Sequence, residues 1–281
     1  MIKIYYSSIY FKTIAEGLKW GLSRDKTLKI EVIDNVYNDS DLWIILGLQN
    51  AKYMPNKYIV WNFEQLEVET EQFDNKFWDR MKNAFEVWDY SKENIKWLEE
   101  KHLIKAIHLP LGWCPMMKIN SVQTQLWNKR NNTFAFVGLM NERRRDILKS
   151  CHMLAKVNNW NMYLSNKCWN NEYDYIYSIT KIGLNIHCYS GKTILEVHRI
   201  IPLILNKIWV ISEHSNDIWY DELFNDIITW SNPENFSNNI LEIQQMDDET
   251  VMIELDRRQH ELIKRCNFST FLRNINLYEK I

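Results

Sequence analysis

The stretch "TFAFVGLMNERRRDIL" (133–148) carries the densest chemistry in the chain. An apolar run ends at Val137, and Gly138 follows, which lets a ligand approach the backbone closely. Asn141 has the side chain of a helix N-cap. Arg143, Arg144 and Arg145 then fall in the first turn of the helix that Asn141 opens. Cations there oppose the partial positive charge of a helix N-terminus. A bound diphosphate reverses that sign, because it meets free N–H groups, the dipole and guanidinium forks together. The competing reading is that the arginines are solvated or paired with acids.

The stretch "GLNIHCYSGKTILEVHR" (183–199) holds a second set. Ser190-Gly191-Lys192-Thr193 looks like the end of a phosphate loop. Gly-x-x-x-x-Gly-Lys-Thr needs a glycine at position 186, however, and Ile186 stands there. A strand ending in Asn185 and His187 is expected instead, followed by a helix over Thr193–Leu205. Thr193 and Glu196 have the spacing of a capping box, and Glu196 could pair with Arg199 on one helical face. A carboxylate also suits a ribose diol, since its two oxygens accept both hydroxyl protons. Helix position alone leaves capping and ribose binding open.

Two further carboxylates follow strand-like runs in the first third. Glu64, after Asn62 and Phe63, and Asp89, before Tyr90 and Ser91, are candidate general bases toward a hydroxyl acceptor. The alternative is capping by Ser91 and solvation of the acidic run from Glu64 to Glu71. Asp39-Ser40-Asp41 has metal-motif spacing but precedes its strand, so loop solvation is expected there.

The elements that must position these residues alternate. Strand-like runs are expected over Ile2–Tyr6, Lys29–Ile33, Leu42–Leu46, Tyr58–Asn62, Glu86–Trp88 and Ala106–Leu109. Helical patterns over Thr13–Leu22, Thr70–Lys82 and Lys92–Lys101 fall among them. After a polar break at 112–132 the alternation restarts: Thr133–Val137, helix Glu142–Val157, Met162–Leu164, helix Glu172–Thr180 and Gly183–Ile186. Past the helix ending at Leu205 come Ile208–Ser212, helix Ile218–Phe224 and Asp226–Trp230, with a mostly helical tail from Pro233. Such alternation predicts an α/β chain built of βαβ units with parallel sheets. Two Rossmann-like domains facing a cleft are expected, over 1–125 and 126–265, with 266–281 as a C-terminal helix that returns to the first domain.

Composition narrows the partners. Among 281 residues, 34 Lys and Arg oppose 36 Asp and Glu, a formal charge of -2, so no basic excess points to nucleic acid. The N-terminal residues do not read as a signal peptide and no apolar run is long enough to span a membrane. Five cysteines, none in Cys-x-x-Cys spacing, argue against a zinc site and a disulfide framework, and for a cytoplasmic chain with reduced thiols. No Gly-x-Gly-x-x-Gly follows a strand, which disfavours a dinucleotide enzyme.

Together, "FVGLMNERRRDIL" and "KIGLNIHCYSGKTILEVHRIIPLILNKIWVISE" resemble the C-terminal half of the GT-B fold glycosyltransferases that use nucleotide sugars. "VWNFEQL" (60–66), "VWDYSKENIKWL" (87–98) and "HLPLGW" (108–113) resemble recurrent pieces of a bacterial and viral group of them. The resemblance implies that Glu196 binds the donor ribose and that Gly138, Asn141 and Arg143–Arg145 meet the diphosphate. It places Asn185, His187 and Arg199 near the donor, and it implies transfer without a metal or other cofactor. Two departures stand out: Cys188 occupies the position where many retaining members carry an acid, and Leu139 replaces a frequent Arg.

The expected activity is transfer of a hexose or similar sugar from a nucleoside diphosphate to a hydroxyl of a glycan, a lipid-linked sugar or a protein, with Glu64, Asp89 and His187 as candidate catalytic groups. Two alternatives remain, a non-catalytic nucleotide-sugar-binding module and a transferase acting on modified DNA bases.

Overall fold

The computed structural model describes residues 1–24, 28–36, 41–68, 73–119, 126–166, 171–273 and 275. By its internal contacts the chain divides into two compact units, Met1–Met116 with Asn267–Ile281, and Met117–Cys266. The sequence placed the change at 125/126. It falls earlier because Asn206 holds the chain just after Met116: its amide donates to the Met117 carbonyl (3.0 Å) and accepts from the Ile119 N–H (3.0 Å).

The first unit runs β1 (Ile2–Tyr6), α1 (Lys12–Leu22), β2 (Ile30–Ile33), β3 (Leu42–Leu46), β4 (Tyr58–Asn62), α2 (Asn75–Lys82), β5 (Glu86–Asp89), α3 (Lys92–His102) and β6 (Ile107–His108). All pairings are parallel, in the order β2-β1-β3-β4-β5-β6. Every residue of β3 and β4 is buried, as befits strands covered on both faces. The second unit runs β7 (Asn132–Val137), α4 (Glu142–Val157), β8 (Asn161–Ser165), α5 (Asn171–Ser178), β9 (Thr180–Asn185), α6 (Val197–Leu205), β10 (Trp209–Ser212), α7 (Ile218–Leu223), β11 (Thr229–Trp230), α8 (Phe236–Gln245) and α9 (Asp248–Arg265). Its parallel sheet has the order β11-β10-β9-β7-β8. Finally α10 (Phe268–Arg273) joins the first unit, where Phe268 stacks on Trp61 and Leu272 lies against Gly21 of α1; a Cβ at Gly21 would sit 2.3 Å from the Leu272 Cδ1.

Counted from its own first strand, the first sheet has the order 2-1-3-4-5-6 and the second 2-1-3-4-5. Such a sheet opens a crevice between its strands 1 and 3, where successive crossovers leave on opposite faces. In the second unit that point lies between the ends of β7 and β9. In the first it lies between β1 and β3.

Several expected boundaries move. The helix expected over Thr70–Lys82 starts at Asn75, capped by Asp74, and residues 69–72 lie outside the described residues. The helix expected to 180 stops at Ser178, because Thr180 pairs with Asn132 and starts β9. The strand expected over Asp226–Trp230 shrinks to two residues, since Asp226 takes a left-handed φ of 60° in the preceding turn. The helix expected at Thr193 begins only at Val197. The Thr193 N–H donates to the Asn216 side chain (2.7 Å) and the Thr193 carbonyl accepts from the Asn216 N–H (2.9 Å), which holds this segment off the helix. Ser190-Gly191-Lys192-Thr193 is therefore loop, with Gly191 at φ 98°.

Candidate functional site

At the crevice of the second unit, the strand ends and helix starts build one charged network. Asn141 caps α4: its Oδ1 accepts from the Arg144 N–H at 3.0 Å, and its amide donates to the Cys188 carbonyl. This ties the start of α4 to the segment after β9. The arginine run then divides. Arg143 makes a two-pronged ion pair with Glu213, which follows β10, and donates to the His187 carbonyl at 2.8 Å. Arg144 turns inward and is buried. It donates to the carbonyls of Ile186 (2.9 Å) and Leu139 (2.8 Å), and its guanidinium lies 3.4 Å from Glu196. Arg145 stays exposed on the helix surface.

Glu196 is the hub. Its Oε2 accepts from Asn185 at 3.0 Å and from the His187 Nδ1 at 2.9 Å. The side chain keeps 17% exposure, and the distant Arg144 contact leaves Oε1 with room for another donor. Glu196 stands at the N-cap position of α6 but makes no side-chain capping bond, so the capping-box reading falls. Burial raises its pKa, but His187, Arg199 and Arg144 outweigh burial and hold the carboxyl far below the ordinary range.

The ring of His187 contacts two acceptors, the Glu196 carboxylate through Nδ1 and the His214 carbonyl through Nε2 at 3.0 Å. Neither partner has a proton to give, so both ring nitrogens donate and the imidazole is a cation. Burial opposes that charge, but Glu196 and Glu213 prevail and raise the His187 pKa. A buried imidazolium with both N–H groups engaged has no lone pair to take a proton. In this arrangement the His187 ring orients the Glu196 carboxylate. Its own N–H donates to Glu213 at 2.7 Å.

Arg199, in the first turn of α6, donates to the Asn185 Oδ1 at 2.6 Å. Its guanidinium lies against Gly138, where a Cβ would come within 2.9 Å of NH2. Arg144 and Arg199 both approach the ring of Phe136, at 5.2 and 5.4 Å from its centroid. In the hydrogen-bonded network four cationic groups, Arg143, Arg144, Arg199 and His187, meet two carboxylates, Glu196 and Glu213. The excess of positive charge sits beside the free N–H groups of the α4 N-terminus, an arrangement that favours an anion carrying two negative charges.

No protein-family model matches the chain, and no curated protein matches it by sequence. Solved structures do match in shape. WaaG, a glycosyltransferase involved in lipopolysaccharide biosynthesis, superposes with a TM-score of 0.61 at 8% identity, over 99% of this chain and 99% of that one. An alpha-glucosyltransferase in complex with UDP and a 13-mer DNA containing an HMU base gives 0.55 at 9% identity, over 97% of each chain. TarM gives 0.58 at 11% identity over 83% of this chain, which spans only 53% of TarM. The chain has the GT-B glycosyltransferase fold.

In this GT-B chain, the remaining expected residues lie in the first unit. Asp89 is fully buried. Its oxygens accept from the Asn62 amide (2.8 Å), the Asn94 amide (3.1 and 3.2 Å) and the Ser91 N–H (2.8 Å). It ties together the ends of β4 and β5 and the start of α3. Ser91 does cap α3, accepting from the N–H groups of Glu93 and Asn94. Glu64 remains half-buried after β4, in a turn held by the Asn62 and Asn94 amides on its carbonyl and by Gln49 on Oε1 at 2.6 Å. Burial pushes its carboxyl pKa up, and the Gln49 bond pulls it partly back. Asp41 pairs with Lys3 at 2.8 Å, while residues 39 and 40 lie outside the described residues.

Sequence reasoning missed Glu213 and Ser212. The signal was available: "WVISE" is an apolar strand ending in polar residues, the same pattern that singled out Asn185 and His187. Among the described residues no cluster of His, Cys, Asp and Glu could hold a metal ion, no helix is long and apolar enough to cross a membrane, and Cys151, Cys188 and Cys266 form no disulfide.

Proposed function

We propose that the chain is a glycosyltransferase that moves a hexose or similar sugar from a nucleoside diphosphate to an acceptor hydroxyl on a glycan, a lipid-linked sugar or a protein. The observation that carries this reading is the network around Glu196: a carboxylate held open by His187 and Asn185, beside an excess of cationic groups at a helix N-terminus, in the crevice of a sheet with the GT-B fold. In this reading Glu196 receives the ribose hydroxyls. The diphosphate lies over Gly138 and the α4 N-terminus, facing Arg199 and Arg144. Arg143, engaged by Glu213, supports the site rather than gripping phosphate, and Arg145 contributes only long-range field.

In the transfer step the acceptor oxygen bonds to the anomeric carbon, and the bond from that carbon to the diphosphate breaks with its electron pair leaving on the phosphate. Arg144, Arg199 and the helix N-terminus offset that developing charge without a metal ion. Glu64 is the proposed base for the acceptor proton. Its raised pKa suits that task, because a base works best when its pKa approaches the working pH.

A uridine nucleotide is the first donor to test, since structural relatives such as the alpha-glucosyltransferase hold UDP. Calorimetry with UDP and a thermal-shift panel of nucleotide sugars test the donor site, because ligand binding raises stability by mass action. No shift with any nucleotide sugar rejects the reading. Release of free sugar or transfer products separates an enzyme from a binding module lacking turnover.

A further inference from the structure

A second cavity, of about 400 Å³, opens in the same unit beyond the ends of β10 and β11, and the reading above assigns it nothing. Its floor is one face of α8. Asn235, just before the helix, and Asn238, Asn239 and Glu242 on it follow the i, i+3, i+4, i+7 spacing, while Phe236, Ile240 and Ile243 bury the opposite face. Its wall is Trp230, at the end of β11, with the His214 ring stacked on it at 4.6 Å and 14°. Asn232 closes the rim.

The chemistry of this lining is unusual for a solvated helix face. Such faces normally carry Lys and Glu; here three carboxamides share the floor with a single carboxylate. Among the described residues none of the side chains of Asn232, Asn235, Asn238, Asn239 and Glu242 takes a hydrogen-bond partner from the protein. The His214 Nδ1 is engaged by Asp221, 2.8 Å away, and no Lys or Arg lines the cavity, so nothing there attracts a phosphate. A carboxamide offers two donors and an acceptor, the match for a hydroxyl that both gives and takes a hydrogen bond. The indole, with the His214 ring stacked on it, adds a small apolar surface with a polar edge. Converging amides beside an aromatic wall fit an uncharged polyhydroxylated ligand better than an anion, a cation or a lipid chain.

We propose that this cavity is a second binding site for a neutral saccharide, separate from the nucleotide network. It stands on its own lining and does not require that the chain be a transferase. The contact between His187 and the His214 carbonyl places the cavity wall one residue from the network, so a bound glycan would lie next to it without entering it.

The test uses the intact protein with maltotriose, chitotriose and mannotriose as probes, followed by saturation-transfer NMR and calorimetry with and without UDP. At least one trisaccharide is expected to bind with Kd below ~10 mM. Asn238→Ala with Asn239→Ala, on the solvent side of α8, should weaken it by roughly ten-fold while leaving the UDP response unchanged. Trp230→Phe should keep binding and Trp230→Ala lose it. Absence of binding by all three probes overturns the proposal, as does indifference to the double asparagine variant or displacement of the saccharide by UDP. Failure of the donor reading would instead show as no UDP response with saccharide binding intact.

Discussion

The two sheets share the order of their first five strands and fill their crevices in opposite ways. In the first unit the crevice holds Gly47, in a left-handed conformation at φ 76°. The Phe11 ring covers it, and the Ser7 hydroxyl donates to its carbonyl. In the second unit the crevice holds Gly138, with the Arg199 guanidinium against it. One crevice is shut by an aromatic plug and short local bonds. The other is lined with charges that are only partly matched. Topology makes both crevices, and the side chain laid over the glycine sets how each is lined. The proposed base, Glu64, lies on the flank of the first sheet, after β4.

This contrast is sharpest at Arg144. Removing a buried cation that carries an ion pair and two carbonyl contacts should cost ~3–5 kcal/mol. Arg144→Ala is expected to lower the denaturant midpoint strongly and to abolish UDP binding in calorimetry. Arg145→Ala, at an exposed position, should change stability by no more than about 0.5 kcal/mol. Equal effects of the two would mean the arginines act as one solvated run.

Glu64→Gln should lower turnover by at least ~100-fold if the carboxylate is the base, with UDP affinity unchanged. Near-normal turnover removes Glu64 from the reaction.

The glycines test the comparison directly. Gly138→Ala pushes on Arg199 and should weaken UDP binding about ten-fold, with little change in melting temperature. Gly47→Ala forces a left-handed alanine against Phe11 and Ser7, and should cost about 1–3 kcal/mol of stability while the protein that remains folded binds UDP normally. The reverse pattern would place the ligand in the first unit.

The smallest effect is on pH dependence. His187 has a raised pKa, so its stabilising contribution is complete below its unfolded value of about 6.5 and is lost as pH rises through the folded value. Glu196 has a lowered pKa, so its contribution is present above its unfolded value and is lost as pH falls. Melting temperature should therefore sag on the alkaline side, and His187→Gln should flatten that sag. An unchanged alkaline arm in the variant would show that the imidazole is neutral.

Much of this was legible in the chain. The period-2 and period-3.6 runs named both sheets, and the helix over Glu142–Val157 matches the structure residue for residue because Asn141 is a true cap. Local chemistry decided it: a side-chain oxygen three residues from the N–H it accepts needs nothing distant. Glu196 failed the same logic. Its capping spacing was correct, but the segment before it is held by Asn216, more than twenty residues later. The arginine run likewise looked uniform, although Arg143 and Arg144 are matched by Glu213 and Glu196, 70 and 52 residues away.

By itself, then, the sequence determined which residues end strands, which residue caps α4, and that glycine stands where a backbone must come close. Those are short-range matters of sterics and hydrogen bonding. Only the tertiary structure decided which arginine is buried, that the His187 ring sits between Glu196 and the His214 carbonyl, that the Asn62 and Asn94 amides enclose Asp89, and that a floor of asparagines lies beside Trp230. Charge state and burial depend on what long-range packing brings within a few ångströms, and no local pattern carries that information.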